Sequence, residues 1–417
     1  MTRLGPLRER EFALLFTGRA VSQVGSAMAP VALAFAILDL TGSTADLGIV
    51  LAVRQVAVVV LLLYGGVWAD RLPRHLVMVW SNVVSGLSQA AAATLLLSDH
   101  ATVAALAALA AVNGASSAFF FPASTGIVPQ TVPVGLLQQA NAMLRLGLNG
   151  TRIGGAALGG VVVAAANPGW AIAVDAITYG LAAGALAAMC VRPIERTEAT
   201  TLFHDLRVGW RDFWSRPWLW AIVIQFGIVN AAYTGALNVL GPAEAKRGLG
   251  GPTGWAAILV AVQVGLIASG LVLLRWRPQR LLRTATFGSF GLALPLFALA
   301  RPEPLVVVLV AAFASGYMSE IFGVLWDTTY QQEIPPDKLS RLSAYDAIGS
   351  WALMPLGFAV AGPVGAAVGN RATFIGAGTI VVIASALVFL SRDVRTLERR
   401  SASEPAQRKL RAPCAKA

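Results

Sequence analysis

Charge is what this chain has least of. Only 13% of its 417 residues are Asp, Glu, Lys or Arg, about half the ~25% of an ordinary soluble domain. A soluble core hides one or two apolar 20-residue stretches, not a dozen, so a water-soluble globular protein is excluded. Cysteine is nearly absent. Cys190 and Cys414 fall at the end of an apolar run and in the carboxy-terminal tail, and suggest no disulfide. The three histidines, His75, His100 and His204, are scattered, so no metal cluster is in view. No Walker loop, dinucleotide fingerprint or zinc spacing occurs. Nothing in the chain reads as an enzyme, and no cofactor is expected.

What is present is apolar sequence, 56% of residues, with a mean hydropathy of +0.68. Runs long enough to cross a bilayer lie near 12–38, 46–69, 75–97, 101–121, 137–166, 169–190, 219–240, 254–274, 281–300, 304–326, 343–369 and 371–391. They predict an all-α membrane protein with twelve transmembrane helices. The first run resembles a signal peptide, with Ala27-Met28-Ala29 as a cleavage site, but it continues past that point and is read as span 1. The net charge of +11 raises the question of nucleic acid, and its placement argues against it. With the amino terminus inside, 24 of the 32 Lys and Arg fall in cytoplasmic loops and tails, against Lys246, Arg247, Arg301 and Arg371 outside. That bias predicts cytoplasmic termini and contact with anionic lipid headgroups.

The longest interior polar stretch divides six spans from six. Residues 1–192 form the expected amino-terminal bundle, 193–218 a central loop, 219–392 the carboxy-terminal bundle and 393–417 a disordered basic tail. Within the loop, Phe203, Leu206, Trp210, Phe213 and Trp214 recur at helical spacing with Arg207, Arg211 and Asp212 off the stripe, predicting an interfacial amphipathic helix. The halves read as repeats. A constant separation of 202 residues carries Pro133 to Pro335, Gln23 to Gln225, Gly25 to Gly227, Gly155 to Gly357 and Gly160 to Gly362. Two pseudo-symmetric six-helix bundles related by an axis along the membrane normal are a transporter architecture.

Between spans 2 and 3 lies Gly66, then Asp70-Arg71, then Pro73-Arg74. This junction resembles the signature loop of the major facilitator superfamily, with Pro73 where glycine is usual. Phe121-Pro122-Ala123, the glycine run from Arg152 to Gly160, Asp175-Ala176, Trp326 and Gln331 to Pro335 are similar to the bacterial exporter branch that includes the enterobactin exporter and macrolide-efflux proteins. The resemblance implies alternating access, a bacterial cytoplasmic membrane, a monomer, and proton-coupled export of a small organic molecule such as a siderophore, other secondary metabolite or drug. Two features depart from drug-proton antiporters: the glycine run lacks their proline, and span 4 lacks their arginine. An importer or uniporter, or a membrane scaffold or sensor without transport, remains open.

On this reading Asp70, with Arg71 and Arg74 beside it, docks at the start of span 11 near Arg341 and holds the cytoplasmic side shut. A carboxylate at a partly buried helix start is worth ~1–2 kcal/mol. The bland reading is a hairpin anchor. Arg152, Gly155, Gly159 and Gly160 form the span 5 motif; small residues let helices approach closely, and the resemblance implies a half-to-half seal. Charges within spans cost about 2.5–3.5 kcal/mol each and need a reason. Glu320 and Asp175 are the proton-coupling candidates, against a static ion pair of Glu320 with Arg145 or Arg152 and a backbone-held Asp175. Arg19, Arg145, Gln23, Asn113, Gln225, Asn230 and Trp326 are candidates for the substrate cavity, with helix-to-helix hydrogen bonding the commoner role for any one amide.

Overall fold

A backbone surrounded by lipid must satisfy its own hydrogen bonds, and each apolar run does so as a helix. The computed structural model describes residues 5–191, 210–273, 275–276, 278–301, 303–334 and 339–397. Within these it describes the side chains of all but 63, 66, 67, 69–71, 134, 138, 331, 339–341 and 344. Twelve long helices follow one another: α1 Arg10–Thr41, α2 Thr44–Arg71, α3 Arg74–Leu97, α4 Val103–Gly126, α5 Leu137–Ala165 and α6 Pro168–Ala187. The second six are α7 (Pro217–Gly235, then a wide π turn Ala236–Leu240, then Gly241–Gly248), α8 Gly251–Leu273, α9 (Leu281–Ser289 running on to Ala293–Leu299), α10 Leu305–Glu333, α11 (Leu339–Trp351 and Met354–Val368) and α12 Asn370–Val388. Among the described residues there is no strand.

Eleven of these helices are long and apolar enough to cross a membrane. The twelfth, α5, carries Arg145 and Arg152 among its 29 residues, so its length spans but its composition falls short. The turns that join helices are tight and locally encoded. Gly42 adopts a left-handed φ of 68° after α1, and the Ser43 hydroxyl then accepts from the Asp46 N–H at the start of α2. Thr102 and Asn167 cap α4 and α6 in the same way.

Arg10 and Val388 lie at one end of the bundle, the terminal side. At the opposite, distal side both halves share one apolar core. It combines Met28–Leu38 of α1 and Leu47 and Val50 of α2 with Val229–Leu240 of α7, Trp255 and Ile258 of α8 and Phe358 of α11. On the terminal side the core splits. Phe12, Met78, Ile127 and Leu144 pack within the first half, while Trp218, Leu282, Trp326 and Leu342 pack within the second.

The 202-residue repeat has a spatial counterpart. Gly160 of α5 abuts Pro252 and Ala256 at the start of α8, and Gly362 of α11 abuts Thr44 and Ala45 at the start of α2. Each glycine touches the backbone of the other half, where a side chain has no room.

Three expectations change. Span 7 extends through the π turn to Gly248, so Lys246 and Arg247 are helical rather than in a loop. The tail is not disordered from 393: Arg392–Thr396 is a short helix, and Val394 is fully buried in the core of the second half. Residues 398–417 lie outside the described residues. Of the expected interfacial helix, 210–214 is helical, with Trp210 and Phe213 against Tyr345 of α11; residues 192–209 lie outside the description.

Candidate functional site

Among the described residues, a polar and an aromatic contact join the split terminal halves. Arg145 of α5 reaches Asp327 of α10 at 3.8 Å, with the two side chains 73% and 54% exposed. Phe121 of α4 meets Trp351 of α11 edge-on at 6.0 Å. A solvent-accessible ion pair of this length is worth at most ~1 kcal/mol, a contact that breaks easily. The fold thus makes Asp327 a cross-half partner.

Glu320 lies deeper in α10, 13 residues from Glu333, or about 20 Å along the helix axis. It is half-buried, faces Gly270 of α8, and lies within the electrostatic reach of Arg145 and Asp327. The rival reading, a static ion pair of Glu320 with Arg145 or Arg152, is not seen: among the described residues no cation lies within 4.0 Å of its carboxylate, and Arg145 bonds Asp327 instead. Arg152 follows Arg145 by seven residues and so shares its face of α5. Across from it on α1 stands Arg19, close enough for the two cations to repel. Gln23 is one helical turn beyond Arg19 on the same face.

The span 5 glycines divide. Gly155 packs on Val24 and Gly159 on Met28, both within the first half; only Gly160 crosses to α8. The expected half-to-half contact narrows to that one residue, because a single step along a helix turns the side chain by about 100°.

Asp175 belongs to a second cavity, of about 140 Å³, inside the first half. It is 0% exposed, and the Gln89 Nε2 donates to its Oδ2 at 2.5 Å. Arg54 Nε donates to Asn113 Oδ1 at 3.3 Å, and the Ser26 hydroxyl bonds the Tyr179 hydroxyl at 3.0 Å. Among the described residues, Asp175 Oδ1 has no hydrogen-bond partner. Arg54, Gln89, Asn113 and Asp175 are seven to ten residues from the distal ends of their helices, a shared depth of about 10–15 Å. Asn113 therefore lines this internal cavity rather than the cleft. Gln89, Tyr179 and Ser26 escaped the sequence reading; the matching depths were the available signal.

In the second half Gln225 leaves the list of cavity candidates. Its amide N–H groups donate to Ser289 at 2.9 Å and Ser385 at 3.1 Å, and those hydroxyls bond each other at 2.9 Å, a buried knot tying α7, α9 and α12. Gln225→Met is expected to keep function and lower stability by about 1 kcal/mol, read as a lower unfolding midpoint in detergent. Asn230 donates to the Ser350 carbonyl at 3.0 Å and lines a cavity of about 200 Å³ with Tyr233 and Phe322. Trp326 is buried, its indole N–H donating to Asp346 at 3.1 Å.

At the junction, α2 ends at Arg71 and α3 begins at Arg74, whose guanidinium bonds the Gly126 carbonyl at the end of α4. The expectations for Gly66, Asp70, Arg71 and Arg341 concern side chains outside the described residues.

A family model described as Major Facilitator Superfamily matches residues 15–352. Among curated proteins, the multidrug efflux pump Tap of Mycolicibacterium fortuitum is 28% identical, over 94% of this chain and 97% of its own. The enterobactin exporter EntS of Escherichia coli (strain SMS-3-5 / SECEC) is 27% identical, over 94% and 95%. Among solved structures, the nucleoside transporter NupG overlays with a TM-score of 0.72 at 13% identity, over 91% of this chain and 98% of that one. A bacterial homologue of the human lysosomal transporter Spinster, inward-facing and unoccupied, gives 0.72 at 14% identity over 95% and 99%. These two share the fold.

Proposed function

The chain belongs to the Major Facilitator Superfamily, and from that premise we propose that it exports a small organic molecule in exchange for protons. It acts as a monomer in a bacterial cytoplasmic membrane. The observation that carries this reading is a carboxylate, Glu320, within a cleft whose distal side is closed by a shared core and whose terminal side is divided. The positive-inside bias makes the terminal side cytoplasmic, so the cleft faces the cytoplasm, where cargo for export would enter. The similarity to Tap and EntS supports the outward direction. Asp70, Arg71 and Arg341 act as the cytoplasmic latch of the opposite state.

Alternating access then follows from the two seams. The halves rock about the cleft, exchanging the distal contacts at Gly160 and Gly362 for a cytoplasmic closure. Energy comes from the proton gradient, with Glu320 releasing its proton to the cytoplasm when the cleft faces inward. Asp175 serves as a second titrating group on the distal side, since its buried oxygen has no fixed partner.

Inverted membrane vesicles energised with an acid interior test the reading. Uptake of candidate compounds should require this chain and collapse with a protonophore; uptake indifferent to the gradient would make the protein a uniporter. Asp175→Asn keeps an oxygen for Gln89 and removes the charge. Its proton-driven uptake is expected to fall about tenfold, because a titrating group is removed, while the unfolding midpoint stays unchanged. Full uptake by this variant would remove Asp175 from coupling.

A further inference from the structure

Two cations of the cleft have no counter-charge beside them among the described residues. Arg145 is accounted for by Asp327, and Glu320 and Asp327 act electrostatically on Arg145. Arg19 and Arg152 have no carboxylate within 4.0 Å among the described residues, and they repel each other. The one hydrogen bond from either is a long one, 3.5 Å from Arg19 to the Ser124 carbonyl. An arginine at mid-membrane costs about 2.5–3.5 kcal/mol even alone, and intramembrane cations ordinarily pair. Two set side by side without a counter-charge need an anion from elsewhere.

Their position says where that anion comes from. Arg152 is seven residues, about 10 Å, beyond the Arg145–Asp327 bridge and eight residues, about 12 Å, short of the Gly160 seam. It therefore lies between the Arg145–Asp327 bridge and the Gly160 seam, along the stretch of α5 that faces the other half rather than lipid. Arg19 faces it from α1, and Gln23, one turn further, adds an amide on the same face. A guanidinium presents a planar fork that matches a carboxylate or phenolate with two parallel hydrogen bonds.

We propose that Arg19 and Arg152 form an anion-binding subsite, and that the transported molecule is an organic anion whose carboxylate or phenolate group docks between them. The proposal rests on the export reading only for the route into the cleft. Binding neutralises the repulsion between Arg19 and Arg152, so the first half carries less uncompensated charge when the cleft is occupied. A cationic cargo would meet the opposite field.

Two dyes with one xanthene skeleton test this on the purified full-length protein in detergent, by fluorescence anisotropy. Fluorescein is an anion with carboxylate and phenolate groups; rhodamine 123 is a cation. Fluorescein should bind, and Arg152→Gln or Arg19→Gln should weaken it about tenfold or more, with partial recovery in Arg152→Lys. Preference for rhodamine 123, or fluorescein binding indifferent to the paired Arg19→Gln and Arg152→Gln substitutions, would overturn the proposal. Should the glutamine variants fail to fold, the unaltered protein decides: salicylate should displace fluorescein and its neutral amide, salicylamide, should not. Equal displacement by both would overturn the subsite. The two readings fail separately. Arginine-dependent binding without vesicle uptake removes export and keeps the subsite; proton-driven fluorescein uptake untouched by the arginine substitutions does the reverse.

Discussion

Glu320→Gln is expected to fold, reach the membrane and bind cargo, yet bring gradient-driven uptake in inverted vesicles down to the level of vesicles lacking the protein. The side chain is half-buried at mid-helix, and glutamine matches its volume, so packing against Gly270 is kept. What disappears is the ability to take and release a proton in a cleft that opens to each side in turn. Arg145 loses part of its negative surroundings but keeps Asp327 at 3.8 Å, so the cross-half bridge survives. Downhill counterflow of labelled cargo should persist, because it needs movement of the loaded carrier and no net proton. Normal uphill uptake would exclude Glu320 from coupling, and loss of counterflow as well would assign it to binding or to the rocking motion.

Gly362→Leu should pry the distal seam apart without unfolding either half. A Cβ at that position would meet the backbone nitrogen and Cα of Ala45 at 2.6 and 2.5 Å, and rigid backbone cannot step aside. Overpacking of this kind costs about 1–3 kcal/mol, here charged only to the state with the distal side closed. The balance between states would move by roughly 5- to 150-fold. With Cys190 and Cys414 replaced by serine and a cysteine placed at Thr44, labelling by a membrane-impermeant maleimide from outside should rise and uptake should fall. Gly160→Leu, opposite Pro252 and Ala256 at the related seam, should behave alike. Unchanged labelling with full transport would deny the seam any part in gating.

Much of this architecture was legible in the residues. Apolar length alone marks eleven helices, since lipid leaves few other options for such runs. The fifth helix is harder, because the residues that make it poorly apolar, Arg145 and Arg152, are those turned toward the cleft. It was nonetheless read as the apolar run 137–166, and the repeat paired Gly160 with Gly362 before any geometry was known. What sequence could not provide was register between distant helices. Gln89 and Asp175 are 86 residues apart, Gln225 and Ser385 are 160 apart, and Arg145 and Asp327 are farther still. No local pattern says that a polar side chain on one helix faces its partner on another. Gln225 looked like a cavity residue for that reason.

The common apolar core on the distal side also bears on biosynthesis. Helices α1–α6 leave the ribosome first, with Phe35, Leu47 and Val50 still waiting for Val239, Ile258 and Phe358. In water such a half-formed intermediate would aggregate. In a bilayer the acyl chains solvate those faces, so the early half can rest in the membrane until its sister arrives. A gene cut within 192–209 should therefore yield two polypeptides that find each other and reconstitute a working carrier.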